Sequence, residues 1–119
     1  MTRHRNENKV RAALEKVWLD SRPEAISRLA ALESFMEKLR LGTADDKCLD
    51  FARSAAHRLA GSLGMFGLDE GSCCAAKIEA LLCQESAPDT VLLGELVHQL
   101  HNLLEGTPAA MKTQENRDL

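Results

Sequence analysis

Apolar residues recur at helical spacing along almost the whole chain. Between Asn8 and Leu19, Val10, Leu14, Val17 and Trp18 fall on one side of a helical wheel, and the pattern breaks at Asp20 to Pro23. This predicts a short helix that covers one end of the molecule. Ser21-Arg22-Pro23-Glu24 fits a capping box with Pro in the first turn, where its missing N–H costs nothing, so a long second helix is predicted from there. It carries Ile26, Leu29, Leu32, Met36 and Leu39 at spacings of three and four and stops near Gly42. Thr43 is the expected cap of a third helix, with Asp46 in its first turn. That helix runs through Leu49, Ala52, Ala56, Leu59, Leu63 and Phe66 to Gly67. A fourth, after Gly67-Leu68, has Cys74, Ile78, Leu81 and Leu82 on its apolar side and ends around Gln84 to Ser86. Ser86-Ala87-Pro88-Asp89 repeats the earlier start signal, and a last helix with Leu93, Leu96, Leu100 and Leu103 ends at Gly106, with Pro108 just beyond.

Four long amphipathic helices on short connections predict an all-α fold, an antiparallel up-and-down four-helix bundle with a short N-terminal capping helix. No strand pattern competes, and there is no internal repeat or low-complexity tract. A chain of 119 residues fits a single domain spanning 1–119, with an ordered core over about 8–106 and a polar, frayed tail at 109–119. Three Phe, one Trp and no Tyr leave the core to aliphatic residues and Met, which favours helices over sheets.

Charge and cysteine usage narrow the function classes. The net charge of −3, with no dominant Lys/Arg run, lacks the electrostatic footprint of a nucleic-acid binder. No apolar stretch approaches membrane-spanning length, and the polar opening MTRHRNENKV is no secretion signal, so the expected location is the cytoplasm with no membrane partner. Cys48, Cys73, Cys74 and Cys83 then read as reduced thiols. Adjacent Cys73 and Cys74 point about 100° apart on a helix, unlike the Cys-x-x-Cys pair of a zinc site, so no metal site is expected. His98 and His101 sit three apart on the last helix without a third ligand near them in sequence, and are read as structural.

His57 stands apart from these. The apolar set of the third helix clusters about 130° away from it, so the imidazole projects off the core stripe. Asp50, Arg53, Ser54, Ala60, Gly61 and Gly64 share its surface, and apart from the two charged residues they are small. Glycine inside a helix costs about 1 kcal/mol relative to Ala, so two of them on a non-core face need a reason. Either Gly61 and Gly64 admit another molecule to the imidazole, or they let a neighbouring helix pack tightly, or Gly64 marks fraying before Gly67.

The run Ala56-His57-Arg58-Leu59-Ala60-Gly61-Ser62-Leu63-Gly64-Met65-Phe66-Gly67 resembles the signature of histidine-containing phosphotransfer (HPt) domains. In that family the histidine is followed by an apolar residue two later, Gly four later, a small residue next, and Gly ten later. Every one of these positions matches, and the helix order extends the resemblance from about Val10 to Leu104. The resemblance implies that His57 is the phosphoacceptor, that Gly61 keeps the imidazole accessible and that Gly67 turns the chain into the next helix. Counting on without a gap, Glu79 falls where family members often place a polar side chain near the histidine. There it either accepts a hydrogen bond from Nδ1–H, leaving Nε2 as the nucleophile, or remains a solvated surface carboxylate. The family often has Lys or Arg three residues after the histidine to balance phosphate charge, where this chain has Ala60. Arg53, about 40° round the wheel and one turn away, is the candidate substitute, unless it pairs with Asp50 or solvent; Arg58, about 100° off, is a poorer one.

The implied function is a phosphocarrier in a two-component His-Asp phosphorelay, with response-regulator receiver domains and sensor histidine kinases as partners. It implies no kinase activity and no cofactor of the chain's own, the Mg²⁺ belonging to the partner receiver domain. A complete histidine kinase is disfavoured by size and by the lack of a Gly-rich ATP loop, a fragment of one remaining open. The alternatives are an HPt-like docking module that carries no phosphate and a plain helical adaptor.

Overall fold

The computed structural model describes residues 2–106, with side chains from residue 9 onward. The polar tail expected at 109–119 lies outside the described residues. Among the described residues there are four α-helices: α1 (Thr2–Leu41), α2 (Asp46–Met65), α3 (Asp69–Leu82) and α4 (Thr90–Glu105). Each packs on the next and α4 closes back onto α1. Contacts run in descending order from α1 to α2, where Trp18 meets Phe66 while Lys38 meets Cys48, from α2 to α3, where His57 meets Glu79 while Ala60 meets Ser72, and from α1 to α4, where Arg22 meets Leu104 while Glu33 meets His101. The bundle is therefore antiparallel and up-and-down, as the periodicity predicts.

The core follows the apolar stripes. Trp18, Ala25, Leu29, Leu32 and Phe35 from α1 meet Ala52, Ala56, Leu59 and Leu63 from α2, Cys74, Ala75, Ile78 and Leu82 from α3, and Leu93, Leu96, Leu100 and Leu104 from α4. Cys74 is enclosed among them as a small apolar group whose thiol donates to the Leu96 carbonyl at 3.1 Å, and burial raises its pKa. All four cysteines are free thiols.

The N-terminal region departs from the sequence expectation. The short capping helix is not a separate element: α1 runs unbroken for 40 residues with Pro23 inside it. Proline removes the hydrogen bond to the carbonyl four residues back, here that of Leu19. Both Pro23 and Leu19 are solvent-exposed, where solvent is able to replace the lost donor, while Trp18, Ala25 and Leu29 pin the flanking turns into the core. Val10, Leu14 and Val17 do not cover the bundle but stay exposed; the single buried residue among 9–20 is Trp18, which closes the bundle end against Phe66 with ring centroids 5.4 Å apart. The Arg22 side chain, expected in a helix start, instead donates to the Leu104 carbonyl at the end of α4.

Two other starts shift by a few residues. Asp45, not Thr43, caps α2, accepting from the Cys48 N–H at 2.9 Å, which holds its carboxyl below the usual carboxylate range. Thr43 is used by the preceding turn, its N–H donating to the Lys38 carbonyl while Gly42, at φ 73°, donates to Leu39. Asp89 caps α4 through the Val91 and Leu92 N–H groups, so the start falls at the end of the Ser86–Asp89 signal. Gly67, at φ 75°, closes α2 the way Gly42 closes α1: its N–H donates to Gly64, and the Leu68 N–H to Leu63. This hairpin brings α3 back along α2.

Candidate functional site

The antiparallel return of α3 sets α2 residue 57 opposite α3 residue 79. The His57 side chain is 74% exposed and its Nδ1 lies 2.9 Å from Glu79 Oε2, the carboxylate itself being 31% exposed. An ionised carboxylate only accepts, so this contact assigns the ring proton to Nδ1 and leaves the Nε2 lone pair facing solvent. Of the two sequence readings of Glu79, the hydrogen-bonded one is the geometry found.

Gly61 and Gly64, one and two turns on, turn out to serve different ends. A Cβ built on Gly61 meets nothing within 4 Å, so no helix among the described residues needs the space above it. A Cβ on Gly64 comes within 3.1 Å of Ser72 Oγ. The α2 and α3 backbones approach closely there, and Ser72 Oγ donates to the Ala60 carbonyl at 2.7 Å. Gly71 repeats this on α3, its Cβ position lying 3.1 Å from Leu63 Cδ1; nothing in the sequence pattern singled it out. Ser54 on α2 and Cys73, Ala76 and Ala80 on α3 are small and exposed.

The cationic environment is sparse. Ala60 carries no charge. Arg53 is drawn toward α3: its Nε donates to the Leu82 carbonyl at 2.6 Å and its Nη1 pairs with Asp50 at 3.3 Å. Arg58 is exposed on α2. An open groove of about 310 Å³ between α1 and α2, lined by Phe35, Lys38, Lys47, Cys48 and Phe51 among others, does not include His57. On α4, His98 is exposed, and His101 meets Glu33 at 3.1 Å through Nδ1 and Glu105 at 2.8 Å through Nε2, so its ring ties α1 to α4. Among the described residues no helix is long and apolar enough to cross a membrane.

A four-helix bundle that holds an exposed histidine by one ring nitrogen, with open space over the glycine one turn on, defines a class of module that presents an imidazole to another molecule. The comparison with protein families is consistent with that class: the Hpt domain model matches residues 14–110, most of the chain, and the chain belongs to the Hpt domain family. Members of this family are phosphotransfer modules, not kinases, and generally interact with receiver domains in phosphorelays. No curated protein and no solved structure matches the chain.

Proposed function

We propose that this chain is the phosphocarrier of a His-Asp phosphorelay, taking a phosphoryl group onto His57 Nε2 from one partner and returning it to another. The observation that carries the reading is the combination at His57: a mostly exposed ring, Nδ1 engaged by Glu79, and empty space over Gly61. The Nε2 lone pair attacks phosphorus in line, the P–O bond to the partner's aspartate breaks, and its electron pair leaves with the aspartate carboxylate. No proton has to move: the ring retains Nδ1–H, and the Glu79 carboxylate balances the positive charge that the phosphorylated ring acquires. Gly61 leaves room for the partner to approach. Transfer back reverses the same steps.

The partners are receiver domains, which hold the aspartate and Mg²⁺, and a sensor histidine kinase upstream; this chain needs no cofactor of its own and works in the cytoplasm. One observation favours a second reading, a docking module that binds receivers without carrying phosphate: Ala60 is uncharged and Arg53 is engaged by Leu82 and Asp50.

The deciding experiment is phosphoryl transfer from a panel of phosphorylated receiver domains to the wild type and to His57→Gln. Wild type is expected to gain an acid-labile, alkali-stable adduct and His57→Gln none, with unchanged helicity because the side chain is off the core. Receiver binding without transfer would replace the phosphocarrier with the docking module, and neither binding nor transfer would leave a helical adaptor.

A further inference from the structure

Arg53 has a task that its charge alone does not suggest. Leu82 is the last residue of α3, and carbonyls in the last turn of a helix lack intrahelical donors. The Arg53 Nε supplies one to Leu82 at 2.6 Å, while Asp50, one turn earlier on α2, engages Nη1. The same last turn begins at Glu79, whose carbonyl accepts from the Cys83 N–H at 3.0 Å. One turn of backbone thus carries both the Arg53 anchor and the carboxylate that meets His57. Beyond it the chain runs through residues 84–89 with no helix, so this turn is where α3 would open first. Arg22 acts on Leu104 at the end of α4 in the same manner, an arginine from one helix closing the carboxyl end of another. Arg53 also lies about 80° round α2 from Gly61, on the α3 side of His57 and away from the open face.

We infer that Arg53 is a positioning residue: it fastens the last turn of α3 to α2 and thereby holds the Glu79 carboxylate on His57 Nδ1, fixing the tautomer in which Nε2 is the nucleophile. The inference rests on the proposed phosphocarrier for its functional consequence, but the ring tautomer can be read without any transfer.

The test uses the full chain as wild type, Arg53→Gln, Arg53→Lys and Glu79→Gln. Nitrogen NMR of the unphosphorylated His57 ring gives the tautomer, and acceptance from phosphoramidate and from phosphorylated receivers gives the rate. Wild type is expected to hold the proton on Nδ1. Arg53→Gln should move the ring toward the mixed tautomers of Glu79→Gln and slow acceptance roughly tenfold or more, as a misplaced reacting group does. Arg53→Lys, whose ammonium still reaches a carbonyl, should restore much of both. If Arg53→Gln leaves the tautomer unchanged, whether transfer falls or not, the positioning role is overturned, and a fall confined to the lifetime of the phosphorylated ring would assign Arg53 to phosphate charge instead. A wild-type ring without the Nδ1–H preference would also overturn it. Failure of wild type to accept phosphoryl from any donor would sink the phosphocarrier while leaving the tautomer comparison to judge Arg53. Should Arg53→Gln not fold, Asp50→Asn removes the second hold on the guanidinium and should give a smaller tautomer shift in the same direction; no shift in that folded variant overturns the inference.

Discussion

At Gly61 the interests of fold and site separate. A methyl group there would meet nothing, and glycine in a helix interior is less favourable than alanine by about 1 kcal/mol, so Gly61→Ala should stabilise the bundle by roughly 0.5–1 kcal/mol in urea denaturation. Gly61→Gln should fold as well but slow phosphoryl acceptance by crowding the face beside His57. Equal transfer rates for Gly61→Gln and wild type would remove the glycine from the site. The sequence left Gly61 and Gly64 sharing two alternatives, room for another molecule or tight helix packing, because both lie on the face that carries His57. Only the position of Ser72 separates them, and Ser72 is brought there by the pairing of two helices.

At the scale of elements, α1 is the most informative. Asp20 to Pro23 looks like a boundary because each local signal there, a polar break, a capping box and a proline, favours one. Trp18 and Ala25 on either side are both buried, and one continuous helix delivers both to the core. Burial of a large aromatic is worth about 3–5 kcal/mol by truncation, enough to offset about 3 kcal/mol for proline in a helix interior. Pro23→Ala should therefore raise stability by about 1–3 kcal/mol, since it restores a hydrogen bond inside a continuous helix. A change near zero in thermal or urea unfolding would instead fit a helix that starts at that point. The Asp45 cap illustrates the same limit on local signals: Thr43 and Asp45 are both good caps, and the left-handed turn at Gly42 commits Thr43 to the end of α1.

For the whole molecule, α1 spans about 60 Å at 1.5 Å per residue, against overall dimensions of 58 × 25 × 21 Å, so it sets the long axis and runs past the bundle end that Trp18 closes. Trp18→Ala should cost about 3–5 kcal/mol and uncover Phe66, read as a drop in the urea midpoint. Because His57 lies more than two turns from Phe66 on α2, the loss should act on stability and leave the Nδ1–Glu79 contact in the folded fraction. A Trp18→Ala protein as stable as wild type would mean that the bundle end needs no cover.

What the sequence by itself determined is whatever follows from local periodicity and backbone preference: the helices, their buried stripes, the left-handed turns at Gly42 and Gly67, and the placement of His57 off the core of α2. These depend on residues within a few positions of one another. The tertiary structure alone decided that Glu79 meets Nδ1, that Arg53 closes the end of α3, that Arg22 closes α4, and that α1 passes unbroken through Pro23. Each of those depends on the register between helices, which is set by how whole apolar faces interlock, and a side chain's partner across a groove leaves no trace in the spacing along its own helix.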